Sequence, residues 1–269
     1  MEKICIALTG IQDISGGIAT LNLNILLAIQ EIAQEWKVEV EVLSYLDTGQ
    51  DKPPVLTKQT GFRAFGGNKV KFSAALARKP LEADLIFFDH VTLALPILPL
   101  QRIAGARTIV FAHGSEAWRE VRKTSRAIFK RADLCLANSN FTLKKMITHI
   151  GDFNGTACLL GLSPKFNLNE NMDFGSVQSL TLDSVNGGKR ELGNKVLLLV
   201  GRMMKDEPGK GWWSLLDVLP SILTHYPNAQ VVFPGPGDGR KELRRYAKSL
   251  GVGDKVFIPG FVSQEKMNS

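Results

Sequence analysis

The chain has 269 residues, 44% of them hydrophobic and 22% charged, a make-up that excludes disordered, collagen-like and disulfide-scaffold classes. At that length two domains are expected, because single cores stop growing near roughly 250 residues. The net charge of +7 favours anionic company, whether phosphorylated substrates, acidic lipid or nucleic acid, and charge alone does not choose among them.

Cys5, Cys135 and Cys158 are widely separated, which suggests neither a disulfide framework nor a zinc site. The opening MEKICIALTG has no cationic flank before a long apolar stretch, so no signal peptide is expected. The most apolar run, 93–100, is interrupted by Pro96 and Pro99 and falls short of the ~18 residues of a membrane span. A cytoplasmic protein, soluble or peripheral at the inner face of the membrane, is expected.

In chain order, residues 3–8, 38–46, 84–88, 107–112, 133–137 and 157–160 read as strands, most of them nearly continuous in Val, Ile, Leu and Phe, as parallel strands covered on both faces are. Between the first two lies a helix, 17–36, with Ile18, Leu21, Ile25, Ile29, Ile32 and Trp36 on one face. The alternation predicts an α/β fold. The turn into that helix reads Ser15-Gly16-Gly17. Its glycines serve either backbone amides that meet a phosphate or sugar, or a tight turn at positive φ, and both readings stand.

His113 follows the strand at 107–112 directly, and a histidine at a strand's carboxyl end beside glycine is placed like a site residue. His90 repeats the pattern more weakly. Residues 118–132 read as one two-faced helix, with Trp118, Val121, Ser125, Ile128 and Ala132 on one side. Arg119, Arg122, Lys123, Arg126 and Lys130 form a basic stripe on the other, which is either a solvated face or a contact for acidic membrane or a phosphate-bearing acceptor.

From 167 to 194 Asn, Ser, Gly and Asp dominate, the character of an interdomain connection. The expected organisation is a domain at 1–166, a linker at 167–194 and a second domain at 195–269. The second domain reads as a buried strand at 195–200, helix 212–225, strand 230–233, helix 239–250 and strand 255–258. That is about three βα units, fewer than a doubly wound sheet carries, so it is expected to be incomplete, with an unpaired sheet edge open to a completing polypeptide.

Between strand 195–200 and its helix lies GRMMKDEPGKG, 201–211. Ligands of parallel α/β sheets bind at such strand ends, and Arg202, Lys205 and Lys210 bring the cations that hold a diphosphate without a metal. A Walker loop is disfavoured, since seven residues separate Gly201 from Gly209 where four are wanted. GPGDG at 235–239 misses the dinucleotide fingerprint.

SGGIAT (15–20), FAHGSE (111–116), LANSNFT (136–142), VGRMMKDEPGKG (200–211) and the stretch from FPGPGDGR to PGFVS (233–263) together resemble the retaining glycosyltransferases of the GT-B fold, family 4, group 1. The resemblance covers nearly the whole chain, and the loop at 201–211 is its most specific part. It implies two Rossmann-like domains facing across a cleft that holds a nucleotide-sugar. It implies that Arg202 and Lys210 take the donor diphosphate, that His113 orients the transferred sugar, and that Gly16 and Gly17 bring amides to the donor. Gly235 would shape the pocket floor, and Gly260, Phe261 and Val262 would meet the base. The implied partners are a UDP- or GDP-linked donor and a lipid-linked or saccharide acceptor, with no cofactor, no metal and no nucleic acid. The family's two glutamates spaced seven residues apart have no counterpart in the chain, which makes a nucleotide-sugar-binding protein without turnover the alternative.

Overall fold

A computed structural model describes the chain except residues 13–16, 50–51, 101–104, 162–178, 207 and 263–269. It divides into two compact units, Met1–Ser163 and Pro164–Ser269.

The first unit runs β1 (Lys3–Leu8), α1 (Gly17–Trp36), β2 (Glu39–Ser44), β3 (Gly61–Ala64), α2 (Lys69–Ala77), α3 (Lys79–Glu82), β4 (Leu85–Phe88), a 3-10 turn at Val91–Ile97, β5 (Arg107–Ala112), α4 (Ser115–Trp118), α5 (Lys123–Arg131), β6 (Leu134–Ala137), α6 (Asn140–Ile150) and β7 (Gly155–Ala157). Its seven strands pair in parallel in the order β3-β2-β1-β4-β5-β6-β7. Apolar side chains fill both faces. One cluster holds Leu76, Phe88, Ile97, Val110, Phe129 and Met146, and the other holds Ile6, Leu8, Leu26, Val42, Phe87 and Phe111. The order reverses between β1 and β4, which opens a crevice at their carboxyl ends.

Two expected helix faces differ in the structure. In α1 the buried residues are Ala19, Leu21, Asn22, Leu26, Gln30 and Ala33, while Ile32 and Trp36 are exposed. The helix turns two polar residues inward because each has loop partners. Gln30 donates to Val55 O and accepts from Thr57 N and Thr60 Oγ1, and Asn22 binds the β1 loop. The helix expected over 118–132 is two helices, broken at 119–122, with Trp118 exposed. The five basic residues of the stripe are all exposed, and Arg126 donates to His149 O at 2.7 Å.

The second unit runs β8 (Thr181–Asp183), β9 (Lys189–Glu191), β10 (Val196–Leu198), α7 (Trp212–His225), β11 (Gln230–Pro234), α8 (Arg240–Ser249) and β12 (Val256–Gly260). β10, β11 and β12 form a parallel sheet in that order, with Trp212, Leu216, Leu219, Phe233, Leu243 and Ile258 in its core. β8 and β9 form an antiparallel hairpin within the stretch read as linker, and Ser184 bridges to Phe257 of β12.

β10 departs from the buried strand expected there. Val196, Leu197, Leu198 and Val200 are exposed, Leu198 by 62%. Among the described residues no strand pairs with its outer edge, so apolar composition and environment disagree at this one strand.

Candidate functional site

In the second unit, three loops meet at the carboxyl ends of three parallel strands. Gly201 N donates to Pro234 O at 3.1 Å, Met203 N to Pro236 O at 2.8 Å, and Gly239 N to Met203 O at 2.9 Å. The backbone on either side of Arg202 is thus laced to the turn after β11. Gly235 N in turn donates to Gly260 O at 2.7 Å.

This lacing requires glycine. A Cβ on Gly235 would lie 2.0 Å from Gly201 O, and one on Gly237 would lie 2.1 Å from Met203 O. Both residues also have positive φ, +143° and +145°, which side chains resist. GPGDG therefore works by letting a second backbone approach, a role that matching against a dinucleotide motif could not reveal.

Arg202 and Lys210 are exposed. Lys210 ends a short 3-10 turn, Pro208–Lys210, and Gly211, in the left-handed region, starts α7. A lysine next to the backbone amides of a helix start suits an anionic ligand. Lys205, the third cation of the loop, pairs with Glu242 at 2.8 Å. That partner raises the Lys205 pKa and lowers that of Glu242.

Gly260 has φ +86°, and a Cβ there would lie 2.6 Å from Arg240 Nη1. Phe261 beside it is 75% exposed and Val262 half-buried. Arg202, Gly235, Gly260, Phe261 and Val262 thus share one end of the second unit's sheet.

In the first unit His113 sits at the end of β5, half-buried. Its Nε2 lies 2.6 Å from Asp89 O. A carbonyl only accepts, so Nε2 carries the proton and Nδ1 is the ring's other nitrogen. The loop around it is clamped. His113 N and Gly114 N donate to the two oxygens of Glu116, and Asn138 Nδ2 donates to His113 O. Asn138 is held by Thr142 Oγ1 at 2.7 Å, and Ser139 caps α6. FAHGSE and LANSNFT are therefore one unit of structure, and Glu116 and Asn138 are supporting residues that motif reading did not single out.

His90 is used differently. Its Nδ1 accepts from Thr92 N and caps the following 3-10 turn, while its ring stacks on His113 with centroids 6.2 Å apart.

Gly17 is the first residue of α1 and exposed. Its φ is not positive, and an added Cβ would meet nothing within 4 Å. Of the two readings of the glycine pair, the positive-φ turn does not apply at Gly17. Gly16 and Ser15 lie outside the described residues.

Among the described residues no three His, Cys, Asp or Glu side chains converge as metal ligands. No helix there is long and apolar enough to cross a membrane. Cys5 and Cys135 are buried, and burial pushes each thiol up to about 12.

Residues 185–269 match the family profile described as Glycosyl transferases group 1, and no curated protein matches the chain. Among solved structures, the lipopolysaccharide outer core galactosyltransferase WaaB in its apo form superposes with a TM-score of 0.64 at 18% identity, over 98% of this chain and 69% of that one. Anabaena Alr3699/HepE in complex with UDP gives 0.63 at 19%, over 98% and 70%. Sucrose-phosphate synthase from Thermosynechococcus elongatus gives 0.65 at 14%, over 100% and 72%. Residues 185–269 thus carry the likeness to the glycosyl transferases group 1, and the chain has an α/β fold of the GT-B type.

Proposed function

We propose that this glycosyltransferase moves a sugar from a UDP- or GDP-linked donor to a lipid or saccharide acceptor, with retention at the anomeric carbon and without a metal. The observation that carries the reading is the lacing of Gly201–Met203 to Gly235–Gly239, which presents Arg202 on a fixed backbone at the ends of parallel strands. Glycosyl transfer develops negative charge on the departing diphosphate. Cations already fixed there stabilise the transition state more than the ground state. Arg202 supplies a planar fork and Lys210 a mobile ammonium, the roles a divalent cation fills elsewhere.

Gly260, Phe261 and Val262 take the base in this reading, with Gly235 beneath it. Gly16 and Gly17 bring amides to the donor. His113 offers Nδ1 to a hydroxyl of the transferred sugar, its Nε2–H being committed to Asp89 O. HepE, a neighbour at 19% identity, was solved with UDP, which supports the choice of UDP among donors.

The test is incubation with UDP-sugars in excess EDTA, following the anomeric signals of donor and product by NMR. Release of UDP with retained configuration is expected. Inverted product, or activity abolished by the chelator, overturns the proposal. A second reading is favoured by the exposed apolar strand β10, in which the chain binds nucleotide-sugar and turns it over only with a completing polypeptide. It predicts saturable binding without release.

A further inference from the structure

The β1–β4 crevice of the first unit contains a buried carboxylate that no role above has used. Asp89 follows β4 and is 0% exposed. Its Oδ2 accepts from Thr9 N and from Asn22 Nδ2, both at 2.8 Å, and its Oδ1 accepts from Thr9 Oγ1 at 3.1 Å. Asn22, also 0% exposed, passes the constraint on, since the same Nδ2 donates to Gly10 O at 2.9 Å. Its Oδ1 has no hydrogen-bond partner. A buried amide forgoes an acceptor bond only when the opposite orientation is worse, and a flip here would set its oxygen against the Asp89 carboxylate and the Gly10 carbonyl.

A second carboxylate grips the other end of the loop. Asp47, beyond β2 and 0% exposed, accepts from Ile11 N and Gln12 N, both at 2.9 Å, and from Ser44 Oγ at 2.6 Å. The four residues from Thr9 to Gln12 are thereby fixed from two neighbouring strands, on the path from β1 to Gly17. The main chain of Asp89 holds the His113 ring, so a shift of residue 89 would move both features.

We infer that Asp89 is a positioning residue, acting at the topological switch point of the first unit to fix both residues 9–12 after β1 and the ring of His113. It acts through hydrogen-bond geometry rather than charge. Burial pushes its carboxyl up, against the hydrogen bonds from Thr9 N, Asn22 and Thr9 Oγ1, so ionisation is opposed while the acceptor geometry is kept. A preset ring matters because a group aimed at a ligand acts only if it needs no reorganisation on binding. The inference rests on the donor reading for its ligand, but the loop constraint itself does not.

The experiment compares Asp89→Ala with Asp89→Asn in the full chain. Asparagine can present Oδ1 to Thr9 N and Asn22 Nδ2 and donate Nδ2 to Thr9 Oγ1, so it replaces every bond without the charge. Amide exchange at Thr9 and calorimetric binding of UDP and UDP-glucose are measured. Ile128→Val and Ile128→Ala, in the core on α5, serve as controls bracketing the loss of melting temperature. Asp89→Ala is expected to weaken nucleotide-sugar binding and speed Thr9 exchange by about tenfold, the scale of leaving a buried donor without its acceptor. Asp89→Asn should stay within about threefold of wild type, the range expected when bonds are exchanged rather than lost.

Wild-type binding and exchange in Asp89→Ala would overturn the inference. So would equal losses in the alanine and asparagine variants, which would assign the effect to charge, or equal losses in the Ile128 controls, which would make it general stability. If Asp89→Ala does not fold, Thr9→Val and Asn22→Ala remove single bonds of the cluster and must shift both readouts in the same direction. If the wild type binds no UDP, GDP or ADP, the donor reading fails, and exchange at Thr9 alone decides whether Asp89 holds the loop.

Discussion

Replacing Gly235 by alanine tests the lacing of the Arg202 loop. The new Cβ would lie 2.0 Å from Gly201 O and 2.7 Å from Gly201 C. Both are backbone atoms and cannot swing aside as a side-chain tip could, so the Gly201–Met203 segment must shift. Holding alanine at positive φ costs about 1 to 3 kcal/mol, and accommodating a methyl group in a packed site about 1 to 3 more. The sum, about 2 to 6 kcal/mol, corresponds to a fall of about 10 °C or more in the melting of a unit of this size. Gly187, at φ +97° with nothing within 4 Å of its added Cβ, is the control, since Gly187→Ala carries the strain without the collision. Thermal melts followed by circular dichroism, with UDP titrations of both variants, make the comparison. Gly235→Ala should lose more stability than Gly187→Ala and should also lose UDP affinity. Equal melting temperatures with equal affinities would refute the claim that this glycine positions Arg202.

Thiol labelling of the native protein should modify Cys158 alone, because Cys5 and Cys135 are buried with thiols pushed up to about 12, and equal labelling of all three would contradict the core packing. Leu198→Lys, at a position 62% exposed on β10, should leave the melting temperature within about 1 °C while lowering light scattering on storage, since a lysine on an open strand blocks edge pairing. Asp84 accepts backbone hydrogen bonds from Glu2 N and Lys3 N, which lower its pKa from 3.8. Its contribution to stability is present above that unfolded value and lost as pH falls through the lowered folded one. Acid melts of Asp84→Asn should therefore lack that part of the pH dependence, and an unchanged profile would show that the bonds do not hold Asp84 ionised.

Legibility in the sequence followed the strength of the local signal. Continuous apolar runs located β1, β2, β4, β5 and β6, and a helical period located α7 over the residues it occupies. β3, Gly61–Ala64, carries no apolar run because it is a half-exposed edge strand, so its composition does not mark it as a strand. The orientation of α1 differs from the one its isoleucines predict because its inward face includes Asn22 and Gln30, whose partners lie well away in sequence. The break at 119–122 leaves no proline or glycine to mark it. Within the site, Arg202, Lys210 and His113 stood out by residue type at strand ends. Asp47, Asp89 and Asn138 did not, because a side chain that binds distant backbone has no spacing of its own, and its partners are defined only once the strands are aligned.

The central claim, that the loop from Gly201 to Gly211 holds a nucleotide diphosphate through fixed cations, is tested most directly by calorimetric titration of the chain with UDP, GDP and ADP in excess EDTA. Arg202→Ala/Lys210→Ala is measured beside it, and both proteins are checked for cooperative melting. Saturable binding of one nucleotide by the wild type, weakened about 100-fold or more in the double variant, is predicted from the loss of two charge-assisted contacts. Equal affinity of the two proteins, or binding that disappears with the chelator, would contradict it.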